Sequence, residues 1–105
     1  MNKTNHNILS IFAKRIRQRY PESQIWAFGS RARGTEMEDS DFDVCVVLRS
    51  LSSEAREFIR QIAWDVGFNS GVVITTVKYS LDAFSHGPSS VSPLVKTILK
   101  EGIAA

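Results

Sequence analysis

The chain has 105 residues and a formal net charge of +2, with 43% hydrophobic and 23% charged residues. This length allows one domain with a modest core, residues 1–105, and excludes two separate cores. No apolar stretch approaches 18 residues and the N-terminus lacks a signal-peptide pattern, so we expect a cytoplasmic protein that does not contact a membrane.

The first predicted element is an amphipathic helix near the N-terminus. Its apolar face is formed by four residues at helical spacing: Ile8, Ile11, Phe12 and Ile16. The first third of the chain is also basic, through Lys3, Lys14, Arg15, Arg17, Arg19, Arg31 and Arg33. A basic helix can bind nucleic acid. The apolar face makes a solvated charged surface the simpler interpretation, so nucleic acid is not the favoured partner.

A short strand and a small-residue turn come next. Gln24–Phe28 reads as a buried strand, and Gly29 lets the chain leave it in a backbone conformation closed to other residues. Ser30 fits the start of a short helical turn, whose free amides attract phosphate oxygens. Arg31 and Arg33 could add charge-assisted hydrogen bonds to the same anion. The alternative is a plain strand-to-helix turn with solvated arginines.

Two aspartates enter the second predicted strand, Phe42–Leu48. Asp41 and Asp43 flank Phe42, and the period of two along a strand places both carboxylates on one face. Like charges about 6 Å apart repel by about 3 kcal/mol at an effective dielectric of about 20. A bound cation offsets this repulsion, and oxygen ligands suit Mg²⁺ with substrate phosphates completing its shell. The alternative is a solvated acidic loop, because Glu36, Glu38 and Asp39 lie just upstream.

The second half of the chain contains two more helices and one strand. A helix capped by Ser52 or Ser53 carries apolar residues up to Val66 at helical spacing. The predicted third strand is 71–77, residues 80–92 read as a loop, and Pro93 fits the first turn of a helix that stops near Gly102. Its apolar stripe comprises Leu94, Val95, Ile98 and Leu99.

This order of elements predicts an α/β (α+β) fold with helices packed on a small mixed β-sheet of three strands. Residues 72–77 are the candidate edge strand. Four aromatic residues are each expected in the core: Trp26, Trp64, Tyr79 and Phe84. Together they present more aromatic surface than so small a core comfortably hides, which is compatible with a homo-oligomer or with partner binding. Cys45 is the only cysteine, which excludes an internal disulfide.

The run Gly-Ser-Arg-Ala-Arg-Gly at 29–34, followed by Ser-Asp-Phe-Asp at 40–43, resembles the nucleotidyltransferase superfamily of DNA polymerase β. It is closest to the minimal nucleotidyltransferases (MNT), small prokaryotic proteins often paired as antitoxins with HEPN-domain toxins. The resemblance implies a single MNT domain over residues 1–105. It implies phosphate binding by Gly29 and Ser30, and catalytic Asp41 and Asp43 coordinating Mg²⁺.

By the same resemblance the substrate would be ATP or another NTP, and the acceptor would be a hydroxyl such as a tyrosine on a HEPN-family partner. Arg31 or Arg33 would neutralise charge on the leaving pyrophosphate. The family carries a third carboxylate on a later strand, where this chain has Thr75 or Thr76. Asp82 is the nearest downstream acid and is a substitute if the register differs.

Two functions remain open at this point, with a third ranked last. The first is nucleotide transfer to a partner protein. The second is a catalytically weak or inactive nucleotide-binding antitoxin or interaction module, since the third carboxylate is missing. The third is RNA binding by the basic N-terminal third, which predicts an affinity that falls steeply with salt.

Overall fold

Helices and strands alternate along most of the chain in the computed structural model, which describes all 105 residues. The helices are α1 (Lys3–Arg19), α2 (Gly29–Arg33), α3 (Ser53–Ser70), α4 (Leu81–Ser85) and α5 (Pro93–Glu101), with a 3₁₀ turn at Pro88–Val91. The strands are β1 (Gln24–Phe28), β2 (Phe42–Leu48), β3 (Ile74–Ser80) and β4 (Ile103–Ala104). None of the helices has both the length and the hydropathy that crossing a bilayer requires.

The four strands form one mixed sheet in the order β3-β2-β1-β4. Strand β1 runs antiparallel to β2 and to β4, whereas β2 and β3 are parallel. The α/β architecture with a small mixed sheet is therefore confirmed, and β3 is an edge strand as expected. The parallel pair is connected through α3, which is the usual way to return a chain to the same end of a sheet.

Helices cover the two faces of the sheet unequally. On one face, which we call the α1/α3 face, α1 and α3 pack on alternate residues of β2, namely Phe42, Val44, Val46 and Leu48. On the other, the α5 face, Cys45 and Val47 pack with Phe84 of α4 and with Val95 and Ile98 of α5. Asp43 precedes this covered stretch and is partly exposed. The α5 face is therefore open at the end of the sheet where β2 begins.

Serine side chains begin several of the helices. The hydroxyl oxygens of Ser52 and Ser92 accept hydrogen bonds from the amides three residues on, at 3.0 and 3.2 Å, as expected for N-caps. Ser80 caps α4 in the same way, at 3.2 Å from the Ala83 amide. Ser80 is thus both the last residue of β3 and the N-cap of α4, in a segment that the sequence predicted to be only a loop.

Three predictions about the secondary structure were wrong. The third strand begins at Ile74 instead of Gly71, because Gly71 is the left-handed cap of α3 with φ of 73°. The segment 80–92 contains α4 and the 3₁₀ turn instead of an irregular loop. A fourth strand, β4, pairs with Trp26 and Ala27. Its two residues are too few to show a periodic pattern in sequence.

Several residues expected in the core are exposed. Trp64 is 70% exposed and its ring stacks on that of Phe68, 6.2 Å away and itself 76% exposed. Ile11 is half exposed, Leu99 is more than half exposed, and Leu94 also lies at the surface. Of the other aromatic residues, Phe84 is buried, and Trp26 and Tyr79 are partly buried against it.

We expect substitutions of Phe12 and Trp64 to differ sharply in their effect on stability. Phe12 is fully buried between α1 and the sheet, so Phe12→Ala should lower the free energy of unfolding by about 3–5 kcal/mol. Trp64→Ala should cost less than about 1 kcal/mol, because it removes mainly a surface stacking contact. Urea unfolding followed by circular dichroism measures both. Equal losses would show that Trp64 belongs to the core.

Candidate active site

The turn that follows β1 is built by glycines at both ends of α2. Gly29 has φ of 75° and Gly34 has φ of 77°, a left-handed conformation that side chains with a Cβ disfavour. Phe28, the residue before the helix, makes no side-chain cap. The first amides of α2 are therefore not capped by a side chain from the preceding residue. The short helix predicted at 31–34 is confirmed and begins two residues earlier.

The carboxylate of Asp43 lies between this turn and the edge strand. Its Oδ1 accepts a hydrogen bond of 2.6 Å from the hydroxyl of Thr75. Its Oδ2 faces Gly29 so closely that a Cβ at position 29 would overlap it and would lie 3.3 Å from the carboxyl carbon. The glycine is required here both for its backbone conformation and for the space that Asp43 occupies.

Asp41 lies directly before β2 and is exposed. Phe42, between the two aspartates, is fully buried on the α1/α3 face, and its amide donates to the carbonyl of Val73 at 2.8 Å. Asp43 therefore lies at the open end of the α5 face, and Asp41 is two residues before it along the chain, outside the paired part of β2. The placement of both carboxylates on one face stays a prediction.

These residues fit a hard divalent cation that takes further ligands from a substrate. The protein supplies two carboxylates at one end of the sheet, and no cluster of three or more His, Cys, Asp or Glu side chains is present. Mg²⁺ characteristically binds through one or two carboxylates and completes its shell with waters and phosphate oxygens. Thr75 occupies only one oxygen of Asp43. The protein ligands are therefore suited to a metal ion that binds together with a nucleotide. They are few for a metal ion that binds without one.

The register of β3 decides which residue stands beside Asp43. Thr75 pairs with Asp43, while Thr76 pairs with Val44 and belongs to the α1/α3 face. Asp82 lies on α4 just after Ser80, which pairs with Leu48 at the far end of β2, about 17 Å along β3 from Thr75. The register therefore does not bring Asp82 beside Asp43, and the condition under which it would substitute for the third acid is not met.

Arg31 holds the loop that leads to Asp41. Its side chain is 8% exposed, and its Nε and Nη2 donate to the carbonyl of Ser40 at 3.0 and 2.9 Å. Its Nη1 donates to Asn5 Oδ1 at 3.2 Å, and the guanidinium lies 6.0 Å from the ring centre of Phe42. Arg31 is not a solvated arginine. Nothing in the local sequence distinguishes it from Arg33, so this role was not predicted.

Arg33 has a different environment from Arg31. It is about half exposed, and its Nη1 lies 3.9 Å from Glu101 of α5. This is a long ion pair at the surface, which leaves the guanidinium free to reorient. Of the two arginines, Arg33 alone has a charge available to a ligand at the open end of the α5 face.

Cys45 is on the same face as Asp43, two residues further along β2. Burial raises the pKa of its thiol to about 12, so the sulfur remains protonated at neutral pH. Thiolate is the form that binds metals and attacks electrophiles. Cys45 therefore belongs to the packing under α4 and α5, as a small buried hydrophobic residue.

A groove of about 490 Å³ lies on the other side of the acidic loop. Its walls include Trp64 and Phe68 of α3, Val73 before β3, and Glu38 and Asp39 of the loop. Neither Asp41 nor Asp43 lines it. The groove and the aspartate pair are thus separate features at the same end of the sheet.

Comparison with known proteins assigns the family. Residues 9–104 match the sequence family described as "Nucleotidyltransferase domain". The chain belongs to the nucleotidyltransferase domain family. It is also 29% identical over 102 residues to a Methanocaldococcus jannaschii protein provisionally named as a protein adenylyltransferase, a match that covers 92% of this chain and 68% of the relative.

Several solved structures share the fold. A toxin–antitoxin structure with AMP-PNP matches with a TM-score of 0.64 and 21% identity, over 90% of this chain and 69% of that one. A mutant of the toxin–antitoxin pair MntA–HpeT matches with a TM-score of 0.61 and 19% identity, over 99% and 72%. A provisionally assigned nucleotidyltransferase from Sulfolobus solfataricus gives 0.59 and 14%, over 97% and 82%. The resemblance predicted from the Gly-Ser and Asp-Phe-Asp motifs is confirmed.

Arg31 and Arg33 provide a matched pair for a stability test. We expect Arg31→Met to lower the free energy of unfolding by about 2–3 kcal/mol, because it leaves the Ser40 carbonyl and Asn5 without their donor. Arg33→Met should change it by about 0.5 kcal/mol or less, since only a long surface ion pair is lost. Chemical denaturation measures both, and a neutral Arg31→Met would contradict the buried role.

Gly29 and Gly34 separate backbone strain from overlap with Asp43. Both have a left-handed backbone, but a Cβ at position 34 meets no atom within 4 Å. Gly34→Ala should therefore cost only the conformational term, about 1 kcal/mol. Gly29→Ala should cost more and should displace the Asp43 carboxylate. Denaturation measures the stability difference, and the Asp43 shift is read from side-chain carboxyl NMR signals, with Gly34→Ala as control.

Proposed function

We propose that this chain transfers a nucleoside monophosphate from a nucleoside triphosphate, ATP in particular, to a hydroxyl group on a partner protein. We further propose that residues 1–105 act as a single minimal nucleotidyltransferase domain. The single observation that carries the proposal is the Asp43 carboxylate, which faces the Gly29 turn and lies two residues after the exposed Asp41. Family membership supports the reaction class.

Each site residue has a defined task in this proposal. Gly29 and Ser30 bind the phosphate chain through the uncapped amides of α2 and the serine hydroxyl. Asp41 and Asp43 hold Mg²⁺, which when bound polarises the phosphate and neutralises its charge. The open end of the α5 face leaves room for an acceptor hydroxyl to approach in line with the departing pyrophosphate. Arg33 supplies positive charge near that leaving group.

Arg31 acts through the loop instead of through the nucleotide. Three of its nitrogens donate to Ser40 and Asn5, so its donors are engaged before a ligand arrives. By fixing the carbonyl of Ser40 it fixes the start of the next residue, Asp41. We therefore assign the nucleotide-binding role predicted for the two arginines to Arg33 and a positioning role to Arg31.

The names of the relatives support a protein acceptor. One curated relative is provisionally named as a protein adenylyltransferase, and two of the similar structures are toxin–antitoxin proteins, one of them with AMP-PNP. We propose a partner of the HEPN family and a cytoplasmic location, as the sequence resemblance implies. Neither nucleic acid nor a membrane is part of this proposal.

A second function is favoured by a specific residue. Thr75 stands where the family resemblance places a third carboxylate, directly beside Asp43. A neutral hydroxyl attracts a second cation much less than a carboxylate does. The alternative is therefore a nucleotide-binding antitoxin that masks its partner by contact and transfers nucleotides slowly or not at all.

We expect Asp41→Asn and Asp43→Asn each to weaken binding of Mg²⁺·ATP by more than about tenfold, or about 1.4 kcal/mol. An asparagine oxygen still accepts the Thr75 hydrogen bond, so the fold should persist. Asp82→Asn is the control and should bind Mg²⁺·ATP normally, because Asp82 lies on α4 beyond the far end of β3. Isothermal calorimetry with and without Mg²⁺ measures the affinity of all three variants. A wild-type affinity in both Asp41→Asn and Asp43→Asn would contradict the proposal.

Turnover separates the two functions once binding is established. Purified chain, its natural partner and radiolabelled ATP with Mg²⁺ should give a labelled partner if the chain is a transferase. The label should be lost in Asp43→Asn and retained in Asp82→Asn. Tight Mg²⁺·ATP binding without any labelled protein would favour the masking antitoxin.

A further inference from the structure

The hydroxyl of Thr75 has the contacts of an activated nucleophile. Its Oγ1 donates to Asp43 Oδ1 at 2.6 Å, and the residue is exposed on the edge strand β3. A hydroxyl held in one orientation by such a hydrogen bond is positioned for attack on a bound electrophile. The hydrogen bond also gives one oxygen of Asp43 a donor. This contact alone would be sufficient if the role of Thr75 were only structural.

The geometry around Asp43 points beyond that structural role. Oδ1 contacts the Thr75 hydroxyl, while Oδ2 faces Gly29 at the start of the phosphate-binding turn. One carboxylate therefore joins the proposed phosphate site to a hydroxyl of the same chain. A nucleotide bound at Gly29 and Ser30 would therefore lie beside a carboxylate that holds the Thr75 hydroxyl.

We propose that Thr75 is itself a nucleotide acceptor, so that the chain nucleotidylates its own edge strand. This inference rests on the proposed function, because it uses the same triphosphate site. It differs in naming the acceptor as a residue of this chain, and it needs no partner protein. Neither the family match nor the similar structures assign a role to this threonine.

The chemical step is balanced with the nucleoside triphosphate as the only co-reactant. Thr75 Oγ1 attacks the α-phosphorus and forms a new P–O ester bond, while the bond from the α-phosphorus to the bridging oxygen of the β-phosphate breaks. Pyrophosphate leaves with that oxygen and its electron pair. The hydroxyl proton is released to solvent at the open end of the α5 face.

Neighbouring hydroxyls are less well placed than Thr75. Thr76 pairs with Val44 and belongs to the α1/α3 face. Tyr79 shares the α5 face but pairs with Val47, four residues along the strand, and packs with Phe84. Burial also raises the pKa of the Tyr79 hydroxyl. Thr35 donates weakly to the Ser30 carbonyl at 3.5 Å. Thr75 is thus the one hydroxyl in contact with Asp43.

A modified Thr75 would change the site that made it. The attached nucleotide would occupy the open end of the α5 face and would remove the hydroxyl donor from Asp43. The reaction should therefore stop after one nucleoside monophosphate per chain. Self-modification would limit the active lifetime of each molecule, whichever partner it serves.

The test uses the full chain as purified and after incubation with Mg²⁺·ATP, followed by intact mass measurement and peptide mapping. We expect a gain of one AMP per chain, located on Thr75. Thr75→Ser should keep the adduct, because it keeps the hydroxyl, whereas Thr75→Val should lose it. Thr76→Val is the matched control on the opposite face and should be modified like wild type.

Calorimetry of Mg²⁺·ATP binding accompanies each variant, and thermal unfolding confirms that each is folded. Binding that depends on Asp43, with Thr75 unmodified or with the adduct on another residue, overturns this inference and leaves the proposed function standing. Absence of nucleotide binding in the folded wild-type chain overturns both. An adduct on Thr75 that Thr75→Val and Asp43→Asn abolish supports the inference.

Discussion

The parallel register between β2 and β3 is the constraint on which the candidate site depends. It pairs Asp43 with Thr75 and places both on the α5 face, whose helices cover only the residues from Cys45 onward. A slip of one residue would turn Asp43 toward α1 and α3 and bury a carboxylate in the core. The apolar residues that alternate with Asp43, such as Phe42 and Val44, prevent this slip, because burying them fixes which side of β2 faces the helices.

A second constraint acts on the loop before β2. Asp41 lies outside the ladder, so the strand alone does not fix its position, and the loop upstream carries Glu36, Glu38 and Asp39. Arg31 compensates by bringing a buried positive charge to the carbonyl of Ser40. The neighbouring residue Asn5 links Arg31 to Glu36 through hydrogen bonds of 3.2 and 2.9 Å. An arginine of the Gly-Ser-Arg-Ala-Arg-Gly run thus holds the acidic loop at Ser40 through a hydrogen-bonded polar network.

The sequence predicted the bounds of β1 and β2 to the residue, because these depend on short-range signals. Alternation, the glycine after β1 and the serine caps act within a few residues. The start of β3, the exposure of Trp64 and the burial of Arg31 depend on contacts between segments distant in the chain. A helical pattern cannot tell Trp64 from a core residue, since exposure is decided by whether another element packs on that side of α3. No motif shows that Arg31 faces inward while Arg33 faces solvent.

The presence of a threonine instead of a carboxylate at position 75 has an energetic consequence for the protein without ligand. Each additional carboxylate at about 6 Å from Asp43 would add about 3 kcal/mol of repulsion at an effective dielectric of about 20. Thr75 instead donates a hydrogen bond to Asp43, which stabilises the free carboxylate. The fold is therefore less dependent on a bound cation than a site with three acids would be. A threonine at this position also attracts a second metal ion less strongly than a carboxylate would. The site without ligand is therefore more stable, but it attracts a cation less strongly.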